Sequence, residues 1–255
     1  MSEETWLRTS VGGSTADAIT IRGRDLATEL LGRVSFTELA FLLVGGRVPT
    51  PAETRLLDAV LVSLADHGLT PTVLAARLTY TGAPESLQGA VAAGLLGAGS
   101  VFLGVVEDTA AFLAQLGART DGSEAALRRA AEEGVRARLA DGRRVPGLGH
   151  PVHKVEDPRT PRIYAIAEEG GTLGVNLRLL SAVASAHADA TGKPLPINGA
   201  GVAGAALADL GFPPAIVRGF ALLARTAGLV AHLAEEQASP LGMELYREVD
   251  RRASP

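Results

Sequence analysis

The sequence predicts an all-α fold, and three observations support this. Ala and Leu, strong helix formers, are abundant, while aromatics make up only 4% of the residues. Helix-start signals recur along the chain: Ser or Thr followed by Pro, or by Glu three residues later. Behind these signals the apolar residues repeat at helical spacing. Hydrophobic residues are 47% and charged residues 20% of 255, so a sizeable core can be buried and disorder is not expected. The length suits one large domain or two modest ones.

Ser35-Phe36-Thr37-Glu38 is a capping box, in which hydroxyl and carboxylate satisfy the first free N–H groups. The apolar run 39–44 follows, and Gly45-Gly46 stops it. Thr50-Pro51-Ala52-Glu53 starts a second helix, with Leu56, Leu57, Val60 and Leu64 at helical spacing. Thr70-Pro71 repeats the device, and Ser123 caps the charged, amphipathic stretch 124–139. Further helices are expected over 173–190, 201–210 and 213–234. The one extended piece is 18–23. Gly89, Gly94, Gly97 and Gly99 read as close helix packing. No Gly-rich turn joins a strand to a helix, so a dinucleotide cradle is excluded.

The chain has no cysteine, which excludes disulfides, thiolate metal sites and a covalent thiol mechanism. Met1-Ser2-Glu3-Glu4-Thr5 is acidic and polar, so no signal peptide is expected and the location expected is cytoplasmic. Gly or polar residues interrupt the apolar stretches, so no membrane span is expected. The net charge of -4 argues against a nucleic-acid partner.

Four segments carry residues with chemistry. Asp66-His67-Gly68 ends a predicted helix, where His67 taken alone reads as a capping residue. The stretch 141–162 is the least helical, and within it 145–159 concentrates Gly, His and Arg. Its glycines expose backbone N–H groups to a ligand, and His150 can exchange a proton near neutral pH. Lys154 and Arg159 can hold phosphate or carboxylate groups. His150 and His153 lack a third ligand at a convincing spacing, so no metal is expected. Pro196-Ile197-Asn198-Gly199-Ala200-Gly201 reads as a turn and a helix start. Arg225 lies inside an apolar helix, where either an internal ion pair or a carboxylate ligand must satisfy it. His187 and His232 read as structural.

These segments, in this order and over nearly the whole chain, resemble the citrate synthase family, and its short citryl-CoA lyase branch above all. Ile21-Arg22-Gly23 with 34–43 resembles the family's N-terminal signature. Residues 147–159 are the most specific match, and Arg225-Thr226-Ala227-Gly228 resembles the family's late arginine helix. The resemblance implies a homodimer of two-domain chains with the active site in the cleft, the large domain formed by 1–88 and 210–255 and the small one by 89–209. It implies a coenzyme A thioester as substrate rather than a tightly bound cofactor, with an oxo acid as the second small molecule. By the same resemblance His150 handles the proton on the substrate oxygen and His67 contacts the oxo-acid end. Arg159, Arg225 and Asn198 bind substrate. Val145, Pro146, Gly147, Leu148 and Gly149 line the coenzyme, with Lys154 near its phosphates.

The sequence departs from the family at three places. Gln88 stands where full-length synthases carry a histidine, and it can donate a hydrogen bond to an enolate oxygen but cannot transfer a proton. Ala200 stands at the position of the family aspartate, and Asp209, roughly 13 Å further along a helix, is a poor substitute. The C-terminal Arg-Pro segment of many synthases is absent. The implied reaction is cleavage of citryl-CoA to acetyl-CoA and oxaloacetate. The alternatives are condensation by a citrate or 2-methylcitrate synthase, and a non-catalytic CoA-binding subunit.

Overall fold

The computed structural model describes residues 9–254, and helices dominate them. The segment Met1 to Thr5 lies outside the described residues. A small antiparallel sheet comes first: β1 (Gly12–Ser14), β2 (Ile19–Ile21) and β3 (Arg24–Asp25). β2 is the extended piece expected, while its two partners are too short to show an alternating pattern. Arg22 adopts a φ of 49° in the turn before Gly23, and its guanidinium donates to the Leu43 carbonyl at 2.6 and 3.0 Å. That bond ties the sheet to the first helix. A single π-helical turn, Leu26–Leu30, follows.

α1 (Phe36–Gly45) and α2 (Pro51–Ala65) both begin with reciprocal capping boxes. Glu38 accepts from the Ser35 N–H at 2.6 Å and Glu53 from the Thr50 N–H at 2.8 Å. Gly46, in the left-handed region at φ 71°, ends α1. α3 (Pro71–Gly82) begins with Pro in its first turn as expected, but without a side-chain cap. The Thr70 hydroxyl lies 2.8 Å from that of Thr72 and does not cap the helix. α4 (Leu87–Leu96) bears out close packing at Gly94, where a Cβ would meet Leu229 at 2.8 Å and the Thr72 carbonyl at 2.9 Å. α5 (Gly104–Gly117) and α6 (Glu124–Ala140) follow. Then come α7 (Arg159–Glu169), α8 (Val175–Thr191), α9 (Gly199–Asp209), α10 (Pro214–Ala238) and α11 (Gly242–Ala253). The start of α7 was hidden in a Pro- and Gly-rich stretch. α11 was hidden because it is strongly charged and buries only Gly242.

α5, α6, α8 and α9 pack on one another, α3 and α4 form a second pair, and α10 touches α2, α3, α4, α5 and α9. One apolar core runs from Phe41 through Leu113, Leu180 and Leu207 to Phe220. It thus includes residues of both expected domains, and Gln88 and Gly89, on either side of the expected boundary, both lie in the first turn of α4. A smaller cluster joins Val73, Ala76, Ala90, Leu229 and Leu233. Against expectation, α10 is by length and composition long and apolar enough to cross a membrane, because single polar residues do not interrupt a 25-residue helix. Here Val217, Phe220, Leu229 and Leu233 of α10 are buried inside the protein.

Near its C-terminus α10 carries a buried ion pair. Arg77 of α3 donates to Glu236 at 2.8 Å, both side chains being 3% exposed, and Glu236 also accepts from the Leu241 and Gly242 N–H groups. Arg77→Ala would leave that carboxylate buried without its cation. The expected cost is about 3–5 kcal/mol, read as a lower urea midpoint.

Candidate active site

The loop between α6 and α7 is laid against the N-terminus of α9. Leu148 and Ile197 form an antiparallel bridge, the Gly149 N–H donates to the Pro196 carbonyl at 2.8 Å, and the Asn198 N–H to the Gly147 carbonyl at 2.9 Å. The contact is close because Gly201 has no side chain: a Cβ there would lie 2.5 Å from Gly147 Cα. Gly147 itself sits at φ 81°. Asn198 serves this junction. Its Oδ1 accepts from the Gly201 N–H at 2.8 Å and caps α9, and its Nδ2 donates to the Gly149 carbonyl at 2.8 Å. Asn198 therefore holds the loop, with one amide N–H left over for a ligand.

Asp157, missed by the sequence reading, is the second clasp. It is fully buried and accepts from Arg159 Nε at 2.9 Å and Nη2 at 2.7 Å, and from the Gly199 N–H at 2.8 Å. The Asp157 pKa falls to about 2: burial opposes ionisation, and the Arg159 and Gly199 hydrogen bonds outweigh it. Gly199 is required because a side chain would occupy the space of the Arg159 guanidinium. Arg159 thus has one fork filled, and its Nη1 reaches the Ser63 carbonyl at 3.3 Å.

α10 meets the C-terminus of α2 at Gly228, where a Cβ would collide with the Ala65 carbonyl. One turn earlier stands Arg225, 6% exposed, with Nε and Nη1 lacking any partner. No ion pair satisfies it among the described residues, so the structural alternative raised from the sequence fails. Burial lowers its pKa, Asp66 opposes this and Arg159 adds to it. Asp66 is held by the Gly68 N–H at 2.8 Å and by His232 Nε2 at 2.9 Å. Arg77 lies 3.0 Å from the other ring nitrogen of His232, which as an acceptor there must carry its proton on Nε2.

His67, His150 and His153 converge, with one ring nitrogen from each lying within 4.8 Å of the others. The His67 and His150 rings are 5.4 Å apart, and His150 and His153 stack at 4.4 Å. Sequence spacing offered no third histidine, because His67 arrives from the loop that follows α2. Nδ1 of His150 accepts from the Val152 N–H at 3.1 Å and the His153 N–H at 3.0 Å. A neutral His150 is therefore protonated on Nε2 and acts as a donor there. A metal on Nε2 would force an imidazolate against those two N–H groups, so the trio suits proton handling better than metal binding. Burial and the neighbouring His153 push the His150 pKa below its ordinary value.

A cleft of about 670 Å³ opens beside the cluster, lined by Val145, Leu148, Gly149, His150, His153 and Lys154 among others. Pro146 and Gly147 do not line it; Gly147 faces α9 instead. Arg143 and Arg144, which the sequence reading passed over, add positive charge to the wall. His187 also lines the cleft, buried, with its Nδ1 unpartnered. Gln88 is exposed on α4, with no hydrogen bond to the cluster among the described residues. Ala200 packs against the core, and Asp209 accepts from the Gly174, Asn176 and Leu177 N–H groups at the start of α8, which removes it as a substitute.

Residues 47–247 match the model of the family described as citrate synthase, C-terminal domain. Citryl-CoA lyase from Hydrogenobacter thermophilus is 32% identical, with a TM-score of 0.83 over 91% of this chain and 87% of that one. An Asp-to-Ala mutant of Methanosaeta concilii ATP citrate lyase, in complex with (3S)-citryl-CoA, shares the fold at 19% identity and a TM-score of 0.75, covering 93% of this chain and 40% of that one. The citrate synthase-like protein oryE of Aspergillus oryzae is 28% identical over 86% of this chain and 49% of its own length. The chain spans about half the length of the curated relatives it matches.

Two outcomes test this geometry. Gly201→Ala should displace the His150 loop and cost about 1–3 kcal/mol of stability, read by urea unfolding. The lowered pKa of Asp157 stabilises the fold above the ordinary carboxylate range, and that contribution is lost as pH falls from about 4 toward 2. In Asp157→Asn the stability profile should be flatter across that window, by roughly 2 kcal/mol.

Proposed function

This chain belongs to the citrate synthase family, and from that premise we propose that it is a lyase of the citryl-CoA type. The substrate would be cleaved to acetyl-CoA and oxaloacetate. The observation that carries the proposal is Arg225, a buried guanidinium with two unpartnered nitrogens in electrostatic reach of Asp66 and Arg159. A cation placed there needs an anion, and a dicarboxylate supplies one. The Hydrogenobacter citryl-CoA lyase, similar over most of both chains, supports the same reading.

In the proposed complex Arg225, Arg159 and His67 orient the oxaloacetate half. His150 donates from Nε2 to the oxygen that is hydroxyl in citryl-CoA and carbonyl in oxaloacetate, and so stabilises negative charge developing there. The coenzyme A arm occupies the cleft, its phosphates near Lys154, Arg143 and Arg144. A homodimer and a cytoplasmic location belong to the same proposal. The condensing reaction of a citrate synthase or 2-methylcitrate synthase uses the same contacts in reverse. Ala200 favours one further reading, a CoA-binding subunit without turnover; the ATP citrate lyase mutant that holds citryl-CoA likewise has Ala in place of an Asp.

Purified protein mixed with (3S)-citryl-CoA decides among these. Release of acetyl-CoA and oxaloacetate, lost in His150→Ala, supports the enzyme; binding of CoA without release supports the subunit. Arg225→Met should keep or raise the melting temperature, since it removes an unpaired buried charge, while abolishing the rise that citrate gives the unaltered protein. Because the neutral His150 is the donor and its pKa is lowered, activity should hold at neutrality and decline only below the ordinary value of 6.5. A decline that begins above 6.5 would contradict that assignment.

A further inference from the structure

Breaking the bond between the carbinol carbon and the acetyl methylene leaves an enolate that must gain a proton, and the hydroxyl group must lose one. The net reaction moves a single proton from oxygen to carbon. Resting on the lyase reading above, we propose that His153 is the base that takes this proton and returns it.

Most other groups near the cluster are committed, and His187, whose Nδ1 is unpartnered, lines the cleft outside the cluster. His150 Nδ1 is occupied by two backbone donors, which leaves Nε2–H as a fixed hydrogen-bond donor. Asp157 is filled by Arg159 and Gly199, and Asp66 by His232 and Gly68. Ala200 has no titratable group. The imidazole of His153 is half-buried, and the hydrogen bond that residue makes among the described residues comes from its backbone N–H, so a ring nitrogen is free to accept a proton. It is stacked on His150 at 4.4 Å, beside the group that grips the substrate oxygen. His67 is also unbonded, but position separates the two. His153 and His150 belong both to the cluster and to the cleft assigned to coenzyme A, whereas His67 belongs to the cluster alone. The thioester end of the substrate therefore reaches His153 first.

The step balances without a co-reactant. A nitrogen of His153 accepts the hydroxyl proton as the C–C bond breaks, and the bonding pair moves onto the thioester as an enolate. The imidazolium then protonates the enolate carbon to give the methyl group, and the ring is neutral again. One imidazole performs both transfers, which accounts for a site without a free carboxylate.

His153→Gln keeps an amide of similar reach that cannot carry a proton. Two rates are compared with the unaltered protein: cleavage of (3S)-citryl-CoA, and exchange of acetyl-CoA methyl hydrogens with D₂O in the presence of malate. Both should fall by about 10²–10⁴-fold, while the melting-temperature rise given by acetyl-CoA is unchanged. Added imidazole should restore part of both rates in His153→Gly. An active unaltered protein matched by His153→Gln in both rates removes this role alone. Loss of the acetyl-CoA effect along with the rates makes His153 a binding residue and overturns the proposal. An unaltered protein that neither cleaves nor exchanges removes the lyase reading, and this role with it.

Discussion

The carbonyl oxygen of Ala65 lies where any side chain at position 228 would have to be. Only glycine lets α10 come that close to the end of α2. Four other features gather at the same end of α2. Asp66 reaches His232 on α10, Arg225 stands one turn from the junction, Ser63 offers its carbonyl to Arg159, and His67 projects toward His150. The α2 terminus thus brings together residues from three remote parts of the chain.

A second junction fixes the other half of the site. Gly147, Gly199 and Gly201 allow the loop, α9 and Arg159 to occupy nearly the same space, and Asn198 and Asp157 fasten them with hydrogen bonds. Most polar groups in both junctions are satisfied internally. Arg225 is the exception, and burial without a partner is costly. A fold that satisfies Asp66, Asp157 and Asp209 so fully, yet leaves this guanidinium without a partner, keeps an unpaired charge buried near the site. A ligand carboxylate there recovers free energy that the empty protein lacks, which couples substrate binding to stability.

How much of this the sequence revealed depended on range. Capping boxes at Ser35 and Thr50 and the apolar spacing of α2 are local, and they read correctly. The His150 loop and Arg225 stood out by composition and resemblance. The convergence of His67 with His153 was not legible, since 86 residues separate them and neither flank announces the other. Asp157 looked like one charge in a polar loop, because its burial comes from α9. The part Asn198 plays in clasping the loop was not legible, because it depends on which atoms its amide meets. The tautomer of His150 was likewise invisible, being set by two N–H groups of a turn that the spacing Gly-His-Pro-Val-His does not specify.

The orientation of that imidazole bears on direction. In the proposed complex, His150 with its proton on Nε2 would stabilise the substrate oxygen while negative charge resides there, whether the oxygen is on its way from hydroxyl to carbonyl or back. An interaction with the transition state lowers the barrier both ways by the same amount. The arginines in that proposal would likewise hold the carboxylates that oxaloacetate and citryl-CoA have in common. Nothing in such a site prefers cleavage to condensation. Direction is then set by the concentrations of acetyl-CoA and oxaloacetate, and by whether water can reach the thioester and hydrolyse it before the bond is broken again. A lyase and a synthase built on these contacts differ in how they treat that water, and the wall of the cleft nearest the thioester is where the difference has to lie.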